Sequence, residues 1–317
     1  MNEFELIARL TKTLPTNGTV VTGAGDDCAV LDLGGPENLI LFKTDAVVEG
    51  IHFTKETLPE KIGRKALARC LSDIAAMAGT PAAALVTIAL PENFDSAFVE
   101  KISAGMNAFA EKFGVAIVGG ETTTNPERIL ISVALIGTVP RGKQILRGGA
   151  KVGDAIFVTG ELGGSLAGRH LDFEPRLVEA RWLAEHFSVH AMIDLSDGLA
   201  GDLRHILKAS GVGAEILKSA LPVSRAAKLR AREKMPFAAA LTDGEDFELL
   251  FTVASKSAVK LLDAWKKKFP KLKLSCIGKI VGGDGILIHD KRGAHPFNAQ
   301  GYAHFAPCGR PPMTSQP

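Results

Sequence analysis

The chain has 317 residues, 46% hydrophobic and 23% charged, a composition that fits an ordinary globular protein with room for two domains. Its 37 basic and 35 acidic residues leave a net charge of +2, which gives no electrostatic case for binding nucleic acid or an acidic membrane surface. No apolar run approaches the ~18 residues a membrane helix needs, and MNEFELIARL is too charged for a secretory leader, so a cytoplasmic setting is expected.

In chain order, residues 2–13 predict a helix, with Asn2 as cap and Phe4, Ile7 and Leu10 on one face. Asn17-Gly18 is a turn, and Gly25-Asp26-Asp27 introduces the apolar Cys28–Leu31. Residues 39–44 form a strand that ends on Thr44-Asp45. A helix over 60–78 carries Ile62, Ala66, Cys70, Ile74 and Met77 on one side, and Gly79 with Pro81 stops it. Arg69 and Asp73, four apart, share a face. Strand 85–90, helix 95–113, strand 115–118 running into Gly119-Gly120-Glu121, and strand 129–137 complete the first half.

The polar and basic stretch Pro140–Lys151 marks a boundary, giving expected domains of 1–140 and 141–306, with 307–317 as a flexible Pro-, Gly- and Ser-containing tail. The second half reads as strand 155–159, helix 175–188, strand 191–195 running into Ser196-Asp197-Gly198, and a helix to about Ala209. Strand 247–253, helix 256–268 and strands 274–280 and 285–289 follow. Strands and helices alternate through both halves, which predicts an α/β or α+β architecture in two domains.

Four cysteines are scattered without a CxxC pair, so neither a zinc site nor a redox motif is indicated. Residues 137–143 match the start of a P-loop, but Gln144 stands where a Ser or Thr would ligate magnesium, and an inter-domain turn is the better reading. His186 and His190 lack the Glu of a zinc helix. The chemistry concentrates in five short acidic stretches: Gly25-Asp26-Asp27, Thr44-Asp45, Leu71-Ser72-Asp73, Gly119-Gly120-Glu121-Thr122-Thr123 and Asp194-Leu195-Ser196-Asp197-Gly198. Alone, each is a turn or a cap. Together they are carboxylates that would repel one another unless cations neutralised them, and Asp, Glu and Thr oxygens suit Mg²⁺. Asp197 reads equally as a ligand or as a helix N-cap.

GAGDDCAVL, KTDAVVEGIHF, LSDIAAMAGTPAA, VGGETTT, RGGAKVGDAIFVTGELGGS, IDLSDGLAGDL and DGEDFELLF occur in an order that resembles the thiamine-monophosphate kinase family, within the ATP-binding superfamily of aminoimidazole ribonucleotide synthetase. The resemblance runs from about residue 4 to Gly301–Phe305. VEGIHF and GEDFELLF favour the kinase over its selenophosphate synthetase and hydrogenase-maturation relatives, and Cys308 lacks the setting of a functional cysteine.

The resemblance implies a two-domain fold, with a mixed-sheet N-terminal domain that binds ATP and magnesium and pairs with its copy in a homodimer, and an α/β C-terminal domain. ATP and several Mg²⁺ ions are expected in the cleft between domains, and thiamine monophosphate as the phosphoryl acceptor. Carried over by motif, Asp27, Thr44, Asp45, Asp73, Glu121, Asp194 and Asp197 match metal positions. Gly120, Glu121, Arg147 and Ser196 match ATP contacts, and His52, Glu245 and Tyr302 match positions near the thiamine moiety. Read from the residues alone, Arg147 is also a solvated loop arginine, His52 a structural histidine and Glu245 a cap or ion-pair partner.

Four positions depart from the family pattern. Glu121 stands for the usual Asp, Lys43 for a small hydroxyl residue, Cys70 for Asn and Asp243 for Gly. Lys43 either replaces one cation or points away, so the ion count is open. The expected chemistry is direct in-line transfer without a general base or a phosphoenzyme. Two other functions fit the same pattern: an ATP-dependent synthetase acting on a ribonucleotide, and a nucleotide-binding regulator without turnover.

Overall fold

The computed structural model describes residues 3–298 and 301–302, so Asn2, Cys308 and the expected tail 307–317 lie outside the described residues. Among the described residues, no helix is long and apolar enough to cross a membrane. The chain divides into two compact units, one built on residues 3–74 and 80–141, the other on 75–79 and 142–302.

The first unit begins with α1 (Glu3–Thr11), then the short strands β1 (Val20–Thr22) and β2 (Ala29–Leu31). β3 (Asn38–Val48), α2 (Pro59–Ala76), β4 (Thr80–Leu90), α3 (Ser96–Phe113), β5 (Ala116–Thr124) and β6 (Leu130–Pro140) follow. The strands form one mixed sheet in the order β1-β2-β3-β6-β4-β5, in which β4 and β5 run parallel.

All four long strands, β3, β4, β5 and β6, exceed their expected lengths, and two of the extensions move a candidate residue. β3 does not end at Thr44-Asp45, because β6 pairs with it along all eleven residues, from Asn38↔Pro140 to Val48↔Leu130. Asp45 therefore sits inside the sheet, opposite Val133. Gly119-Gly120-Glu121 is not a loop after a strand but the middle of β5, since β4 pairs with it as far as Thr124. Pro81, read as a helix stop, already lies in β4: α2 ends at Ala76, and Ala78 turns the chain with φ 58°.

Strand alternation divides the sheet into two faces. Leu39, Leu41 and Val47 of β3 and Ile131, Val133, Leu135 and Val139 of β6 are buried, and the Cys70 thiol on α2 donates to the Val133 carbonyl at 3.4 Å. The other face keeps large apolar side chains in the open, with Phe42 47%, Leu85 51% and Ile136 40% exposed.

The second unit contains β7 (Asp154–Thr159), α4 (Arg169–Asp172), α5 (Leu177–His186), β8 (Val189–Asp194), α6 (Leu199–Ser210) and β9 (Gly213–Leu217). It continues with α7 (Arg225–Leu229), α8 (Pro236–Thr242), β10 (Leu249–Ala254), α9 (Ala258–Lys268), β11 (Leu274–Val281), β12 (Ile286–Asp290) and β13 (Gly293–Pro296). Its seven strands are ordered β13-β12-β9-β11-β7-β10-β8, antiparallel except for β12 beside β9. Ile156, Val158, Ile193, Leu250 and Ile277 from the sheet and Leu199, Leu203, Ile206 and Leu207 from α6 share one core. Trp182 of α5 meets Trp265 of α9 edge-on at 5.9 Å, and the buried Trp265 donates its indole N–H to the Leu272 carbonyl at 2.8 Å. His186 bonds the Trp182 carbonyl, whereas His190 faces Asp154 at 2.7 Å, so the two histidines serve separate partners.

Candidate active site

In the first unit, β3 sets the pattern. Lys43, Asp45 and Val47 alternate onto the face that α2 covers, while Thr44 falls on the opposite face. From α2, Asp73 meets Lys43, with Nζ 3.0 Å from Oδ1, and Arg69 meets Asp45, with Nε 3.3 Å from Oδ2. Their spacing of four on one helix face brings both side chains to the same strand. Asp27, just before β2, is buried like Asp73, and one oxygen of each lies within 4.8 Å of the other. Burial works against charge on Lys43, yet Asp73, Asp45 and Asp27 together raise its pKa well above the ordinary lysine value. Beside this group, burial pushes the Cys28 and Cys70 thiols up.

Thr44 and Glu121 belong to the other side of the sheet. Thr44 Oγ1 lies 3.4 Å from Ser132 Oγ, and register runs from Ser132 to Thr87 and from Thr87 to the exposed Glu121. Gly120 has a steric reason: a Cβ there would stand 1.7 Å from the Val86 carbonyl oxygen of β4. His52, in the turn after β3, accepts the Val48 amide on Nδ1 at 3.1 Å, which leaves its Nε2 as the donor, and its carbonyl accepts from Lys65 Nζ at 2.7 Å.

In the second unit, the buried Asp194 closes β8, opposite Leu249. The chain then turns through Ser196 and Asp197 into α6. Asp197 is not the N-cap: Gly198 holds that place with φ 97° and no side-chain cap bond, a backbone conformation open to glycine. The Asp197 amide instead donates to Asp202 Oδ2 at 3.1 Å. Burial, with Asp197 and Asp194 adding to it, raises the Asp202 carboxyl well above its ordinary value, and Arg147 acts against that rise. Burial and the same arginine lower His205 to about 4. Arg147 therefore acts on this acidic turn. The Tyr302 amide bonds the Asp197 carbonyl at 2.9 Å, and the Glu245 amide bonds the Ser196 carbonyl at 2.7 Å.

Glu245 and Phe247 have φ of 62° and 49°, a conformation unfavourable for residues with side chains, and they bracket the buried Asp246. The Glu245 carboxylate faces His170 Nδ1 at 3.0 Å. Asp246 accepts from the Gly163 amide at 2.8 Å and from Arg169 at 2.5 Å, yet burial outweighs both and moves its pKa to about 7. The folded chain thus keeps a proton that the unfolded chain releases near 3.8, so stability from this group falls as pH rises from about 4 to 7 and levels off above. Asp246→Asn should remove that slope. Melting of the variant is expected to gain on wild type between about pH 5 and about pH 8, and parallel curves would refute the assignment.

Sequence reasoning missed Asp202, Arg69, Arg169 and His170 as members of the site. Asp202 did leave a signal, a carboxylate three after Leu199 and four before Ile206 on the buried stripe of α6. Within the first unit, the carboxylate oxygens of Asp27 and Asp73 suit a hard cation such as Mg²⁺, and as adjacent buried acids they call for positive charge.

Family models match both halves: AIR synthase related protein, N-terminal domain, over residues 25–139, and its C-terminal domain over residues 151–291. A thiamine-monophosphate kinase of Rhodopirellula baltica is 41% identical over 87% of this chain and 87% of its own length. That of Salmonella typhimurium is 36% identical over 96% of this chain and 98% of its own. The chain belongs to the thiamine-monophosphate kinase family. A solved structure of AaThiL complexed with AMPPCP and TMP has 31% sequence identity and a TM-score of 0.81, covering 96% of this chain and 97% of that one. Two AIR synthase-type domains thus account for most of the chain.

Proposed function

We propose that this chain transfers the γ-phosphoryl group of ATP to thiamine monophosphate, forming thiamine diphosphate and ADP in thiamine diphosphate biosynthesis. The observation that carries this reading is near-full-length similarity to thiamine-monophosphate kinases, in a chain that keeps buried carboxylates at the matching motifs. The acceptor is a phosphate monoester with a second pKa near ~6, largely a dianion at neutral pH, so no side chain has to remove a proton. The difficulty is repulsion between two polyanions.

Asp27, Thr44, Asp45, Asp73, Glu121, Asp194 and Asp197 are the proposed magnesium ligands. Bound magnesium supplies the positive charge that screens donor from acceptor and stabilises charge in transfer. Arg147 adds a fixed cation for the nucleotide, Ser196 a hydroxyl, and Gly120 is proposed as a backbone contact to it. His52 Nε2, Glu245 and Tyr302 are proposed to orient the thiamine moiety, Glu245 by facing its cationic ring. The exposed apolar face with Phe42, Leu85 and Ile136 is the surface proposed to pair with a second copy, and the cytoplasm, which holds ATP and reduced thiols, is the proposed compartment.

Purified protein with ATP, MgCl₂ and thiamine monophosphate is expected to yield thiamine diphosphate and ADP in equal amounts, resolved by chromatography. ADP with free phosphate from a ribonucleotide would point to the synthetase reading. Tight ATP binding without product would point to a regulator.

A further inference from the structure

Lys43 does not point away from the acidic group. Strand alternation sends it to the α2 side with Asp45, and its ammonium lies 3.0 Å from an oxygen of Asp73, whose partner acid Asp27 is within 4.8 Å. We propose that the Lys43 ammonium takes the place of one divalent cation between Asp27 and Asp73, so that this chain assembles its phosphate site with one metal ion fewer than its carboxylates would otherwise hold. The proposal rests on the kinase reading only in naming the displaced ion as Mg²⁺.

Three considerations carry it. An ion seated between those two carboxylates would stand beside an ammonium, a like-charge contact in a setting where screening is weak. The ammonium is tethered to the middle of β3, opposite Leu135 of β6, so unlike a free ion it does not dissociate. Arg69 repeats the device at Asp45, so that two fixed cations face three carboxylates in this unit.

The test counts ions. The full-length chain and its Lys43→Thr variant are titrated with Mn²⁺ in the presence of a non-hydrolysable ATP analogue, and free Mn²⁺ is read by electron paramagnetic resonance. Lys43→Thr is expected to take up one more Mn²⁺ per chain than wild type, and equal stoichiometry would overturn the proposal. Melting without nucleotide gives a second readout. Lys43→Thr is expected to melt several degrees lower without divalent ions and to recover in millimolar MgCl₂, while wild type shifts less. Equal Mg²⁺ responses would count against the proposal. Should the variant fold only in MgCl₂, that supports the idea, and failure to fold even there overturns it. Failure of the kinase reading is seen separately, as absence of thiamine diphosphate from wild type while the difference in Mn²⁺ count persists.

Discussion

Asp45→Asn should lower turnover by at least about a hundredfold, the scale of losing one preorganised electrostatic contact, while the chain stays folded. The side chain is a quarter exposed and meets the Arg69 guanidinium at 3.3 Å, so the pair contributes ~0–1 kcal/mol to stability. Asparagine keeps the volume and one carbonyl oxygen but loses the negative charge. The loss should therefore fall on chemistry: thiamine diphosphate formation collapses while the melting temperature moves by a few degrees at most. Near-wild-type turnover would remove Asp45 from the metal set. A collapse of both would mean that the Asp45–Arg69 pair is structural.

Glu248→Gln should have the opposite profile, with a large loss of stability first. Glu248 is buried just before β10 and accepts two bonds from Arg176, at 2.8 and 2.6 Å, and a third from Thr159 Oγ1 at 2.6 Å. Thr159 Oγ1 in turn accepts the Leu249 amide at 2.9 Å, which ties the carboxylate to the end of β7 and the start of β10, two interior strands of the sheet. Gly160 reflects the same close fit, because a Cβ there would stand 2.0 Å from Glu248 Oε1. Removing one partner of a buried pair leaves the other charge uncompensated and costs about 3–5 kcal/mol. Calorimetry should show the transition of the second unit lowered by roughly 10 °C. A shift within a degree or two would mean that water replaces the lost charge.

Sequence periodicity located most of the helices because their apolar stripes are regular: α2, α3, α6 and α9 each lie within a few residues of expectation. The short strands β1, β9 and β13 were missed, since three to five residues carry too little alternation to stand out. Strand ends were misplaced where pairing overrode composition. Gly119-Gly120 reads as a break, yet the parallel partner β4 holds it extended, and Gly120 is needed because the strands come so close. The candidate carboxylates were legible as motifs, and Lys43 as a lysine that either replaces a cation or points away, but not which acid each basic residue meets. Lys43 and Arg69 gain their partners Asp73 and Asp45 only once α2 and β3 are placed side by side. The pairing of Glu245 with His170 spans 75 positions and leaves no local trace.

The Trp182–Trp265 contact has an optical consequence. The chain has two tryptophans and one tyrosine, and Trp182, Trp265 and Tyr302 all fall in the second unit. Emission excited near the indole band therefore comes from that unit alone, and the first unit, whose aromatic residues are all phenylalanines, is dark. Quenching or a spectral shift on denaturation follows the second unit without interference. A tryptophan introduced at the exposed Phe42 would add a first-unit signal to this emission, read as the difference from the wild-type chain.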